Sequence, residues 1–185
     1  MKWIGSRISF EDTPKSTTVI IIPENNVLIN ILMGSWLGMW YCIGFVVVWS
    51  LFALQLTEQE SIILYVFLVF WLYYAFRISK SYLWRLFGKE LIKVNEDAFY
   101  IKKSFLKYGK SVPHYFGNIK DFKFEMPEVR SLQSAWEASP WISGGERFSF
   151  EYFGKVKQFG RKLDQKEAQL LFNLLNSKIK QFRKK

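Results

Sequence analysis

His114 is the only histidine and Cys42 the only cysteine in a chain of 185 residues. That scarcity limits the chemistry before any pattern is sought. A two-histidine metal pair, a cysteine-based zinc site and a disulfide framework each need more of these residues. A general base also needs a neighbour that orients it, and no carboxylate stands at a spacing that would serve His114. Its segment SVPHYF (111–116) reads as a strand, with His114 facing solvent. Cys42 lies in a long apolar run, where nothing electropositive stabilises a thiolate. It reads as a small packing residue. Gly144-Gly145 lacks the GxxxxGK[ST] spacing of a phosphate loop, and the acidic residues are scattered. The expectation is a non-enzyme with no catalytic residues, no cofactor and no metal.

Other residue types do carry a pattern. Gly34, Gly38 and Cys42 fall four apart, on one face of a helix. Small residues at that spacing let helix backbones approach closely in a bilayer. The face fits packing against residues 61–79 or against a partner's helix, and the second run offers no small-residue stripe in return. Trp36, Trp40 and Trp71 are large aromatic surfaces suited to a partner or to the membrane interface. Trp136 and Trp141 sit in a polar stretch, 127–145, that reads as a long loop. Two tryptophans argue against disorder there. They either fold back or anchor a partner or the interface. Lys102, Lys103, Lys107 and Lys110 form a basic run. Beside a membrane such a run meets anionic lipid before nucleic acid. Arg77, Lys80, Arg85, Lys102 and Lys103 are the headgroup candidates. A plain solvated loop also fits the lysine run.

The elements that must position these residues differ in texture. Aromatics are 19% and charged residues 23% of the chain, which points to an uneven distribution. Residues 25–57 carry no charge at all, a run of 33. About 20 apolar residues span a bilayer, so this is long enough for one tilted helix. It begins too late and runs too long for a cleaved signal peptide. A second uncharged run covers residues 61–76, with Arg77 and Lys80 able to snorkel beyond it. Together they read as a transmembrane hairpin over 27–88. Lys2, Arg7 and Lys15 precede it, the turn carries no Lys or Arg, and the remaining 23 follow the second uncharged run, from Arg77 onward. Positive residues stay inside, so both termini are expected on the cytoplasmic side.

From Lys89 onward, short alternating segments replace the apolar runs. ELIKVN (90–95) and AFYIKKS (98–104) read as a hairpin, and NIKDFKFEM (118–126) as a further strand. RFSFEYF (147–153) and VKQFG (156–160) pair across Gly154-Lys155. Pro113 marks an edge or a bulge. Asp164 to Glu167 fits a capping box. Ala168, Leu171, Leu175, Ile179 and Phe182 then form one helix face, with Lys178, Lys180, Arg183, Lys184 and Lys185 toward its C-terminal end. Residues 7–12 and 17–23 look like two strands. A lone hairpin is marginal in water, so they must join the later sheet. The expected organisation is a strand hairpin over 1–26, the membrane hairpin over 27–88 and a cytoplasmic domain over 89–185.

Several segments resemble a group of small, uncharacterised bacterial inner-membrane proteins. They are ISFEDTP, IIIP, GSWLGMW, LWRLFGKELIKV and FSFEYFGKVKQFGRKLDQKEAQLL. Members have two transmembrane helices and a pleckstrin-homology-like domain. The resemblance covers most of the chain except 127–145. Its most specific parts are Phe87-Gly88-Lys89-Glu90 and the run from Phe159-Gly160 through Leu163 to Glu167-Ala168. It implies a membrane helical hairpin with an α+β, mostly β domain: a barrel of about seven strands capped by a C-terminal helix. It brings no catalytic residues. The expected role is an accessory subunit docking on a larger inner-membrane complex, with lipids and integral membrane proteins as partners and no nucleic acid. An anionic-lipid-sensing module is the other reading.

Overall fold

The structure is a computed structural model that describes residues 1–106, 108–128, 130–142 and 144–183. Lys107 of the basic run and Lys184 and Lys185 at the C-terminus lie outside the described residues. The chain forms two compact units. One comprises Met1–Glu24, Phe87–Ser139 and Ser143–Lys185. The other comprises Asn25–Leu86 with Pro140–Ile142.

Among the described residues, the first unit contains nine strands in two antiparallel sheets, with a helix at its C-terminal end. Six strands follow one another in chain order: β1 (Lys2–Ile4), β2 (Ile8–Asp12), β3 (Ser16–Ile21), β4 (Gly88–Asn95), β5 (Ala98–Phe105) and β6 (Ser111–Tyr115). β7 (Ile119–Phe124), β8 (Glu146–Tyr152) and β9 (Lys155–Arg161) form the second sheet. The N-terminal strands do pair with the later sheet, through β3 and β4. The expectation of about seven strands in one closed barrel needs correction. Lys2–Ile4 adds a strand, and among the described residues no ladder joins the two sheets. After β6 a 3-10 turn at Phe116–Asn118 intervenes before β7.

Register explains the core. Opposed residues of an antiparallel pair share a face. Phe10, Val19, Ile92, Ile101 and Val112 form one row across the first sheet. Thr17, Val94, Phe99 and His114 form the next. Phe148, Phe150 and Phe159 from the second sheet close on these rows. A helix, α4 (Gln165–Arg183), adds Ala168, Leu171, Leu175 and Phe182 from the expected face. Phe148 and Phe159 lie 4.9 Å apart nearly in parallel, and Phe99 meets Phe150 edge-on at 5.7 Å. Such ring pairs add to the area they bury.

The other unit is built on α1 (Val27–Ala53) and α2 (Glu58–Phe87). Asn26 caps α1 by accepting from the Ile29 amide. Thr57 and Glu60 cap α2 reciprocally. The Thr57 amide donates to Glu60 Oε2 at 2.8 Å, and the Glu60 amide to Thr57 Oγ1 at 3.4 Å. This is the capping box that the TEQE stretch encodes. The box expected at Asp164–Glu167 takes another form, because Glu167 Oε1 accepts from the distant Ser6 amide instead.

Candidate functional site

Within the β unit, polar side chains converge on residues 160–163, where β9 ends and the chain turns toward α4. Two residues there have left-handed backbones, Gly160 at φ +76° and Lys162 at φ +51°. Gly160 must be glycine for a second reason: a Cβ there would overlap the Phe148 ring. Bent in this way, the segment presents its backbone groups to three side chains. Glu90 Oε2 accepts from the Gly160 amide at 2.7 Å. Arg7 donates to the carbonyls of Ile22, Arg161 and Lys162, the last at 2.6 Å. Arg147 donates to the Leu163 carbonyl at 3.3 Å. Lys162 Nζ reaches the Ser139 carbonyl.

Glu90 is the most deeply placed of these groups, at 2% exposure. It opposes Ile21 and Lys103 in the sheet, so it lies on the inward row. Burial pushes its pKa above the ordinary value, although Lys103 and the Gly160 amide pull the other way. Glu146 bridges Lys103 at 3.3 Å and Arg161 at 3.7 Å. Burial works against its charge too, but the two cations outweigh it and its pKa falls below the usual value. Glu137 behaves similarly: burial opposes its charge, while Gln133 and Arg147 hold it ionised. The network thus carries fixed ion pairs around one buried acid. Among the described residues, no group of three or more His, Cys, Asp or Glu converges on a metal position.

His114 is buried at 3% exposure, which corrects the solvent-facing expectation. It opposes Phe99, shares a hydrogen bond with the Phe99 carbonyl at 3.2 Å, and packs edge-on to Phe150 and Tyr152. Burial lowers its pKa. Its place opposite the buried Phe99 turns it inward, and the local sequence of β6 does not signal this, since Val112 two residues away is exposed.

Within the helical unit, the tryptophans do the joining. Trp71 Nε1 donates to the Trp40 carbonyl at 2.9 Å, and Trp40 Nε1 to the Trp71 carbonyl at 3.4 Å. Trp36 stacks on Trp40 at 5.1 Å. Trp141 meets Trp36 edge-on at 4.9 Å, and the Pro140 carbonyl accepts from Ser81 at 3.3 Å. Trp141 therefore belongs to the helical unit. Trp136 does not: it is exposed on α3 (Leu132–Ala138), a short helix within the stretch expected to be a long loop.

The glycine stripe is only partly used. Gly34 lies against the Tyr82 hydroxyl, beyond the expected partner segment 61–79. At Gly38 a Cβ would meet nothing within 4 Å, and Cys42 is exposed. Of this face, only Gly34 packs within the chain among the described residues, while Gly38 and Cys42 face open space. The close approach belongs instead to Gly44, where a Cβ would overlap the Trp71 indole. A tryptophan fills the role expected of a facing small residue.

The five headgroup candidates are not equivalent. Lys80 is exposed, and Arg77 donates to the Tyr73 hydroxyl at 2.8 Å. Arg85 is half-buried and donates to Asn30 at 2.7 Å. Lys103 is engaged with Glu146, while Lys102 is half-buried beside it on β5.

The two helices are long and apolar enough to cross a membrane. Their most apolar windows are only 17% and 11% buried. Phe45, Phe52, Val69, Phe70 and Phe76 all point outward. Comparison with protein-family models, with curated proteins and with solved structures finds no match.

Proposed function

We propose that the chain is a membrane-anchored, non-catalytic interaction module of the bacterial inner membrane. Its helical hairpin docks on a larger membrane complex, and its β unit stands on the cytoplasmic side with both termini. The observation that carries this reading is the bare apolar surface of α1 and α2. A soluble core helix of that length would be mostly covered, and these are not. Exposed apolar surface on this scale marks a lipid or partner contact.

Strand pairing supports the topology. The chain leaves the first sheet after Ile21 and returns at Gly88, and Ile21 stands opposite Glu90. Leaving and returning at adjacent strands requires an even number of crossings, and α1 and α2 supply two. The charge asymmetry supports the direction, with 23 Lys and Arg from Arg77 onward and none in the hairpin turn. In this reading the two sheets and their C-terminal helix make up a pleckstrin-homology-like domain, which the resemblance alone supports.

Purification from native membranes in mild detergent, followed by mass spectrometry, tests the role. Integral membrane subunits recovered at fixed stoichiometry are expected. A lone protein retaining anionic lipid would replace the reading with lipid sensing. Recovery in the soluble fraction without detergent would reject both.

A further inference from the structure

We infer that α3 is a second, shallow membrane contact, seating Leu132 and Trp136 at the boundary between lipid headgroups and acyl chains. The inference rests on the membrane reading of the hairpin and adds a site to it. Leu132 and Trp136 stand four apart, one helical turn, and share a face. They are 92% and 66% exposed. Another side of α3, about 100° round from Trp136 at 3.6 residues per turn, is held by Glu137, which pairs with Arg147 at 2.5 Å. The apolar pair is thus presented outward by a fixed helix.

The hairpin itself marks where the boundary falls. About 20 residues at 1.5 Å each cross a hydrocarbon layer of about 30 Å. Counted back from Ala53, that length reaches Gly34 on α1. Counted forward from Ser61, it reaches Lys80 on α2. The two estimates agree, because Gly34 lies against Tyr82. This is the level at which Pro140 and Trp141 are fastened, to Ser81 and Trp36. Trp136 is four residues from Pro140, so the chain holds it within about 14 Å of that level. Leu132 is one turn further along α3, about 6 Å. Tryptophan is favoured at this depth because an apolar ring and a polar N–H are both satisfied there.

Charge narrows the occupant to the bilayer's apolar boundary rather than its anionic surface. The approach to α3 carries Glu125 and Glu128 against Arg130. Seating should therefore need no anionic lipid.

Single cysteines in a Cys42→Ala chain, each spin-labelled, test this in phosphatidylcholine nanodiscs. The sites are Leu132→Cys, Trp136→Cys, Phe45→Cys on α1 and Phe153→Cys in the β8–β9 turn. Relaxation by oxygen, which concentrates in lipid, is compared with relaxation by a water-soluble nickel chelate. Labels at 132 and 136 should favour oxygen, as at 45, and reverse the ratio found at 153. Nickel-accessible labels at 132 and 136, with a lipid-facing label at 45, overturn the inference and leave the hairpin reading standing. Labels at 132 and 136 shielded from both reagents also overturn it. A nickel-accessible label at 45 refutes the hairpin reading and this inference together.

Discussion

The two units use aromatic residues in opposite ways. In the β unit, Phe99, Phe148, Phe150 and Phe159 are at most 1% exposed and pack on one another. In the helical unit, Phe45, Phe52 and Phe76 are 72%, 86% and 73% exposed. Phenylalanine has no polar atom, so it suits a dry core or a lipid-facing surface equally. The tryptophans separate the two settings. Trp36, Trp40, Trp71 and Trp141 gather in the helical unit, where two of them donate to helix carbonyls. Apolar content alone therefore says little about burial. What distinguishes the units is whether the apolar surface has been covered.

The largest effect should come from opening the β core. Phe159→Ala should cost about 3–5 kcal/mol, read by pulse proteolysis of the full chain in detergent. Phe45→Ala, exposed on α1, should leave that reading unchanged. Equal losses at both sites would erase the contrast between the units.

Within the helical unit, a pair of glycine substitutions sharpens the account. Gly44→Val drives a side chain into the Trp71 indole and should cost about 1–3 kcal/mol through overpacking. Gly38→Val meets open space and should stay within about 0.5 kcal/mol. Thermal stability in nanodiscs measures both. If Gly38→Val releases co-purifying subunits while stability holds, its face is a partner contact.

The next prediction concerns pH. Burial raises the folded pKa of Glu90, so the folded state holds its proton more tightly than the unfolded chain. Its stabilising contribution is full below the unfolded value of 4.5 and is lost as pH rises through the folded pKa. His114 acts in the opposite sense. Its folded pKa is lowered, so its contribution is present above 6.5 and lost as pH falls through the folded pKa. Glu90→Gln should therefore remove a decline in stability on the rising-pH side of 4.5, and His114→Phe should soften the loss below 6.5. Urea midpoints across pH 4–8 measure both. Unchanged slopes would separate these groups from folding.

The smallest effect belongs to a surface pair. Lys178 meets Asp12 at 2.7 Å, and Asp12 is only lightly buried. Lys178→Ala should cost under about 1 kcal/mol, less at high salt.

Much of this architecture was legible in the sequence, for identifiable reasons. Charge-free runs announce α1 and α2 because a charge is costly in lipid. Alternation announces β4, β5, β8 and β9, and the α4 face follows from spacing. That residues 7–12 and 17–23 join the later sheet follows from the marginal stability of a lone hairpin, whereas the partner strand, β4, does not. Misses arose where the same pattern admits two outcomes. His114 reads as solvent-facing by its polarity, and only its pairing opposite Phe99 turns it inward. Glu90 shares a face with Ile92 and Val94, yet a carboxylate at that parity looks like a sheet edge until Gly160 is seen to meet it. Thr57-Glu58-Gln59-Glu60 carries a capping signature as plain as the one at Asp164. Which glycine touches a neighbouring helix depends on rotation about the helix axis, and spacing alone leaves that open.

The central claim is that α1 and α2 cross a membrane as a hairpin, with the β unit on the inner side. Labelling by a membrane-impermeant maleimide tests it most directly, using Gln59→Cys and Lys155→Cys in a Cys42→Ala chain. Gln59→Cys should label in intact cells, and Lys155→Cys only after permeabilisation. The reverse pattern, or equal labelling of both sites in intact cells, would contradict the account.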